Sequence, residues 1–300
     1  MCAEESLETI ERSVFASRIL LSMAKYELAG KTVIVTGASG GIGAATVREL
    51  IGKGAQVTLV DLDQKALHDF AATLPAARVL SIAADVTNAT DMSAVVDATV
   101  EHFGKVDVVF ANAGIAYAGT MASADLAAYE RVIEVDLLGV IRTIKPALPQ
   151  VIAHGGYVLI TSSIYAFANG VVNSPYAASK AAVESLGRSL RLELAAEGAS
   201  AGVLYPGWIR TPLTDLVRDE SATQRLKDHV FKGPLGNFTE PDAVAKAAVK
   251  GIEAKAPRII VPKFWAPTAL LRGAFNAATD AVLEKDRTLL SLIREVANGR

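Results

Sequence analysis

Short runs of valine, isoleucine and leucine alternate with longer segments of helical period from residue 31 onward. The runs at 32–36, 56–61, 78–84, 107–111, 156–161, 200–205 and 258–261 are continuously apolar, the pattern of strands buried on both faces. Helical spacing occupies 41–53, 64–73, 89–103, 124–152, 175–197 and 240–254. Strand followed by helix, repeated along the chain, predicts an α/β fold: a doubly wound parallel sheet of about seven strands with helices on both faces. No proline- or serine-rich linker divides it, so one domain with appendages is expected.

Three stretches depart from this rhythm. Residues 212–239 interpose a helix and a loop carrying Leu213, Leu216, Val217, Phe231, Leu235 and Phe238. They leave a strand end, where ligands of open sheets sit, so they read as a substrate lid; a static helix packed on the core is the plainer alternative. Beyond the last strand, residues 263–300 carry Leu270, Leu271, Ala274, Phe275, Ala278 and Val282, then Leu289, Leu290, Leu292, Ile293 and Val296, at helical spacing. Such a stripe packs against the body or a second subunit. Peripheral membrane contact through Lys263, Phe264, Trp265 and Arg272 is a sharper idea and is not favoured. In the extension 1–29, Leu7, Ile10, Val14, Phe15 and Leu21 have roughly helical spacing, and Met23 is an alternative start. Its opening acids, Glu4, Glu5, Glu8 and Glu11, argue against a secretory signal.

Composition narrows the function classes. With 51% hydrophobic and 21% charged residues, the chain can bury a large core. A net charge of −2 carries no footprint of a nucleic-acid binder. The lone Cys2 excludes an intrachain disulfide and a cysteine metal cluster, and points to a reducing cytoplasm. His68, His102, His154 and His229 lie far apart in sequence, so no metal is expected.

The candidate chemistry lies at strand ends. Thr36-Gly37-Ala38-Ser39-Gly40-Gly41-Ile42-Gly43 follows the first strand and opens a helix. Glycines there permit a tight turn and let the backbone approach a pyrophosphate, whose charge the helix N-terminus receives. Asp61 closes the second strand, where a carboxylate can accept both ribose hydroxyls of an adenosine and repel a 2′-phosphate. It could instead cap the next helix, a role Asp63 fills equally well. No arginine or lysine sits in the turn or at position 62, so NAD is favoured over NADP. Farther on, Tyr176 and Lys180 stand four residues apart after Pro175, on one face of a helix if that proline opens it. A phenol of pKa about 10 is a poor base at neutral pH, and an ammonium beside it favours the phenolate. Ser163, thirteen positions before the tyrosine, could hold a carbonyl or alcohol oxygen for proton exchange.

Together these residues resemble the short-chain dehydrogenase/reductase family across about residues 30–262, read as a Rossmann-type catalytic domain. The resemblance rests on the glycine turn, Asp85-Val86, Asn112-Ala113-Gly114, Ser163, Tyr176-x-x-x-Lys180 and Pro206-Gly207-Trp208-Ile209-Arg210-Thr211. It implies that Tyr176 exchanges a proton with the substrate oxygen, which Ser163 orients. It implies too that Lys180 holds the nicotinamide ribose and lowers the tyrosine pKa. By the same likeness Asp85 and Val86 flank the adenine, and Asn112, Ala113 and Gly114 line the cofactor cleft. Pro206 and Gly207 shape the loop under the nicotinamide, with Thr211 and the Ile209 backbone near its carboxamide. Single residues have plainer roles open to them: Thr36 as a brace for the turn, Asn112 as a brace between strands. Two positions depart from the family pattern: Asp136 stands where an asparagine commonly anchors a water relay to the lysine, and Ala111 replaces the first asparagine of Asn-Asn-Ala-Gly. Asp136 could keep that relay or pair directly with Lys180.

The expected substrate wall, Ile164-Tyr165-Ala166-Phe167-Ala168-Asn169-Gly170-Val171-Val172 with Ile115-Ala116-Tyr117 and the lid, is mostly apolar. It offers no cation to clamp an anion, Arg210 and Arg218 being possible exceptions. The expected activity is therefore hydride transfer between NAD(H) and a lipophilic secondary alcohol or ketone. A non-catalytic dinucleotide-binding regulator and an epimerase or dehydratase of related type are the alternatives. Association into homodimers or homotetramers through 124–152 and 175–197 is implied by the resemblance.

Overall fold

The computed structural model describes residues 25–215 and 222–298; the N-terminal helix expected before them, Met23, Leu216, Val217 and Arg218 lie outside the described residues. Seven strands form one sheet: β1 (Thr32–Thr36), β2 (Gln56–Asp61), β3 (Val79–Ala83), β4 (Val108–Ala111), β5 (Tyr157–Thr161), β6 (Ser200–Pro206) and β7 (Arg258–Val261). Their order is β3-β2-β1-β4-β5-β6-β7, and every neighbouring pair is parallel. The predicted doubly wound sheet is present, with its switch point between β1 and β4.

Alternate residues of each strand feed opposite layers. Val33, Val35, Val57 and Leu59 pack with α1 (Gly41–Gly52), α2 (Gln64–Ala71) and α9 (Pro241–Glu253). Ile34, Val60, Val109 and Val158 pack with α3 (Ala89–Phe103), α5 (Gly139–Ala153) and α6 (Ser174–Ala196). The single helix expected over 124–152 is instead α4 (Leu126–Ile133), a π turn at Glu134–Leu138, and α5. The wider turn sets Asp136 inward, fully buried between the Ile115 N–H and Lys180. Gly139 closes it, because a Cβ there would lie 2.8 Å from Val86 Cγ2.

The interposed segment forms α7 (Pro212–Asp215) and α8 (Ala222–Val230), and the chain ends in α10 (Ala266–Leu283) and α11 (Arg287–Ala297). The C-terminal stripe divides in two. Leu289 and Leu292 of α11 are buried against Leu226 of α8 and Val172. His229 Nε2 lies 2.7 Å from Asp286 Oδ2, and Arg225 pairs with Glu295. By contrast Leu270, Leu271, Phe275 and Val282 of α10 remain exposed. That helix is tied down by Arg272 to Glu184 at 2.6 Å and by Asn169 to Asp280 at 3.0 Å. Trp265 is core, 5.9 Å ring to ring from Phe231, so the membrane-contact set loses its largest member. Among the described residues no helix is long and apolar enough to cross a membrane.

A buried carboxylate fixes where the sheet begins. Asp107, just before β4, accepts the Thr32 N–H at 2.9 Å and meets Lys31 and Lys105 at 2.9 and 3.0 Å. Burial alone would push this carboxyl up, but the bonds from Lys31, Thr32 and Lys105 outweigh it and hold it below the ordinary value. Its contribution is then fully present above the unfolded-state value of about 3.9 and is lost as pH falls towards the folded one. Asp107→Asn should cost about 1–3 kcal/mol at neutral pH, read as a lower melting temperature. The gap between the two proteins should close as pH drops below about 4. A gap independent of pH would mean that the charge contributes nothing.

Candidate active site

At the carboxyl end of β1 the chain turns with Gly37 at φ +65° and Gly41 at φ +49°, conformations that glycine reaches without strain. A Cβ at Gly43 would overlap the Gly37 carbonyl, and one at Gly41 would come within 2.8 Å of Thr211. Helix α1 opens on Gly40 with no side-chain cap and no acidic residue in its first turn. Its leading N–H groups are therefore left for an anion.

This turn forms one end of a cleft of about 530 Å³ running over the switch point. Asp61 faces it. Its Oδ2 accepts from the Ser39 N–H at 3.0 Å and the Ser39 hydroxyl at 2.6 Å, while Asp63 caps α2 through the Ala66 N–H. The competing capping role thus falls to Asp63. Asp85 accepts from Thr87 and from Arg131 Nη2 at 3.1 Å. Burial pushes its carboxyl up, and these bonds more than reverse that. Asn112 is the brace anticipated as its plainer role: its amide nitrogen donates to the Thr36 carbonyl at 3.1 Å and its oxygen accepts from Thr161 at 3.1 Å. The Thr36 hydroxyl in turn accepts from the Asn112 and Ala113 N–H groups.

Helix α6 starts with Ser174 and Pro175, which places Tyr176 and Lys180 one turn apart with Lys180 Nζ 5.2 Å from the phenol ring centre. Nζ also donates to the Thr161 carbonyl at 3.2 Å and lies 3.0 Å from Asp136 Oδ2. Both partners of that ion pair are almost fully buried, and its off-line geometry makes it an ion pair without an aligned hydrogen bond. Burial raises the Tyr176 phenol above its ordinary value; Lys180 opposes this, Asp136 adds to it, and a hydrogen bond with Ser163 opposes it. Burial would lower the Lys180 ammonium, but Asp136 and Tyr176 raise it, so it stays charged.

The cleft brings together Gly37, Ser39, Gly40, Gly41, Ile42, Asp61, Asp85, Val86, Asn112, Ala113, Gly114, Tyr176, Lys180, Pro206, Gly207, Ile209 and Thr211. Gly43, Ser163 and Asp136 are not on its wall. Gly43 packs the turn on its own helix, Asp136 lies beneath Lys180, and Ser163 is buried beside Tyr176. Arg131 also reaches the cleft and was not anticipated; a lone arginine on a helical face gives no sequence signal. Among the described residues no group of three or more side chains could hold a metal ion.

On the far side of Tyr176 the walls are aromatic. Tyr165 meets Tyr176, Trp208 and Phe231 edge-on at 6.0, 5.8 and 6.1 Å. A small cavity of about 30 Å³ opens among Tyr165, Trp208, Val172, Ala116 and Tyr117, and Lys227 of α8 lines it. The expectation of a wall without a cation is thereby corrected. Residues 222–230 are mostly polar, yet Lys227 points inward, only 3% exposed. Arg210, one of the two exceptions weighed, is instead paired with Glu240 at 2.8 Å.

Comparison with known proteins agrees with this geometry. A family model described as short chain dehydrogenase matches residues 31–222. The chain is 38% identical to cis-4-hydroxycyclohexanecarboxylate dehydrogenase of Sinomonas cyclohexanicum, over 73% of this chain and 88% of that protein. It is 34% identical to 3-alpha-(or 20-beta)-hydroxysteroid dehydrogenase of Mycobacterium tuberculosis, over 74% and 82% respectively. A short chain dehydrogenase/reductase from Burkholderia phymatum in complex with NAD superposes with a TM-score of 0.74 at 25% identity, covering 84% of this chain and 96% of that one. Agreement of sequence and fold over most of the chain exceeds what a shared parallel sheet would give, and the chain belongs to the short chain dehydrogenase family of oxidoreductases.

Proposed function

We propose that the protein moves a hydride between NAD(H) and a lipophilic secondary alcohol or ketone, with Tyr176 as the acid/base. The observation that carries this reading is the buried cation Lys180 held beside the Tyr176 phenol, with Ser163 buried on the same phenol. The residues present fit the dinucleotide: a glycine turn with no room for a Cβ at Gly43, uncapped N–H groups of α1, and the Asp61 carboxylate at the end of β2. When bound, the nicotinamide supplies the hydride acceptor for oxidation and the donor for reduction. In oxidation the Tyr176 phenolate takes the hydroxyl proton as the carbinol C–H bond breaks and the carbonyl forms. Ser163 holds the substrate oxygen, and Lys180 opposes the upward push that burial gives the phenol and stabilises the phenolate as it forms. One relative is named for a hydroxycyclohexane acid and another for 3-alpha- or 20-beta-hydroxysteroids, which supports a carbinol on an alicyclic skeleton here.

In this reading residues 30–262 are the catalytic domain, 212–239 its lid, and 263–300 an extension whose last helix seats on the lid. Exposed Ile141 and Leu192, on α5 and α6, favour association of copies through those helices.

Three outcomes test it. Mixed with NAD and a panel of alicyclic alcohols, the protein should generate the absorbance of reduced nicotinamide, and Tyr176→Phe should lose about 10²–10⁴-fold in kcat while binding NAD nearly as well. Tight NAD binding without turnover on any alcohol would point to a regulator instead. Asp61→Ala should narrow the preference for NAD over NADP, measured as a ratio of kcat/KM; an unchanged ratio refutes the ribose role. Because Asp136 pushes the phenol up, Asp136→Asn should move the ascending limb of the oxidation pH profile to lower pH. A limb that stays put or moves upward would remove Asp136 from the proton chemistry.

A further inference from the structure

Lysine on a surface helix normally runs its stem along apolar neighbours and returns its ammonium to water. Lys227 does not. Its Nζ sits 4.6 Å from the Phe238 ring centre and 5.3 Å from that of Trp208, so the charge rests among aromatic faces at the cavity beyond Tyr176. Among the described residues its ionic partner is the neighbouring Asp228, at 2.9 Å, whose carboxylate is largely exposed and also accepts from Gln224. A lysine ammonium has three N–H donors, and this pairing accounts for one of them.

Two more polar atoms, on residues that line the same cavity, lack a partner among the described residues. The indole Nε1–H of Trp208, a residue 6% exposed, has no acceptor, and Asn173 Oδ1 has no donor. Leaving one such group without a partner costs about 1–3 kcal/mol. The same wall holds Val172 at φ +57°, a left-handed conformation that a β-branched residue adopts only under strain. An ammonium, an unpaired N–H and a strained backbone thus converge on one small space, beside the aromatic ring that touches the acid/base tyrosine.

We infer that Lys227 and the Trp208 indole N–H form an anion-recognition end of the substrate pocket, so that the preferred substrate is an alicyclic alcohol or ketone bearing a carboxylate. This rests on the hydride-transfer reading for the identity of the substrate and on Tyr176 for the position of its carbinol. The Tyr165 ring separates Tyr176 from Trp208, which places the carboxylate about a ring's breadth from the reacting carbon. The cavity now has room for about one water, so the substrate enters as α8 is displaced outward. The carboxylate then accepts from Nζ and from Nε1, and the substrate ring lies against Tyr165.

Binding and turnover separate the two readings. Cyclohexanecarboxylate and its neutral amide are titrated calorimetrically onto the NAD-loaded protein. The acid should bind at least about tenfold more tightly, the range for hydrogen bonds to a charged group. Lys227→Met, which keeps the stem against Trp208 and Phe238, should erase that preference. Lys227→Arg should retain most of it, and Trp208→Phe, which removes the N–H and keeps an aromatic ring, should lose part of it. Melting temperatures report whether each variant is folded; if Lys227→Met is not, the arginine and phenylalanine variants decide. Equal binding of acid and amide, or a preference that survives in Lys227→Met, overturns the proposal. With 4-hydroxycyclohexanecarboxylate and its methyl ester, the kcat/KM ratio should favour the acid through KM rather than kcat. Tight binding of the acid with no nicotinamide reduction would keep the anion site and sink the hydride-transfer reading.

Discussion

Between α6 and the π turn an ammonium and a carboxylate face each other 3.0 Å apart, both withdrawn from water. Each would cost several kcal/mol to bury alone, so each stabilises the other in its charged form. The pair is also a junction. Asp136 accepts the N–H of Ile115 after β4, Lys180 donates a hydrogen bond to the carbonyl of Thr161 at the end of β5, and the Ser162 hydroxyl donates to the Lys180 carbonyl. Two strand ends, the π turn and α6 are thereby fixed around one charge. Gly114 passes over it where a Cβ would come within 3.2 Å of Asp136 and 3.3 Å of Lys180. The phenol of Tyr176 inherits its position from this arrangement and its titration from burial set against the two charges.

The opposite end of the cleft depends on backbone geometry rather than on a buried charge. Asp61 already holds Ser39 by two hydrogen bonds, so the turn has its shape before any ligand arrives. Preorganisation of this kind lowers the ordering cost of binding. It also means that a ribose must share Asp61 with the serine. The sheet order does the rest, because the reversal between β1 and β4 opens the crevice that both ends line.

What could be read from the sequence follows from how strongly each feature marks it. Buried parallel strands leave unbroken apolar runs, and all seven came within one or two residues of their observed limits. The glycine turn, Asp61 and the Tyr176–Lys180 spacing were legible because each chemistry demands a residue type at a fixed offset. The π turn was not: one extra residue in a helix scarcely alters an apolar period, so 124–152 read as unbroken. The departure at Asp136 was visible, whereas its outcome, direct pairing with Lys180, depended on that invisible turn. Lys227 left no signal for a related reason. Local polarity around it speaks for the surface, and only tertiary packing turns it, like Trp265, inward.

Helix α8 shows what such packing can control. It has nine residues, too short to persist in water unaided, so its position is set by what it touches. On the inside Lys227 stacks on Trp208 and Phe238 at the cavity wall; on the outside Leu226 meets Leu289 and Leu292 of α11. The contacts with α11 join this buried apolar cluster to two charged pairs at a partly solvated edge, His229 with Asp286 and Arg225 with Glu295. Exposed pairs of this kind contribute little and weaken with salt. The outer seat of the helix is therefore held by its leucines rather than by its charges, while the inner one is aromatic. On the proposed substrate path, a ring that replaces the inner contacts would still have to overcome the outer ones to lodge under α8, which would give the C-terminal helix a share in the control of access.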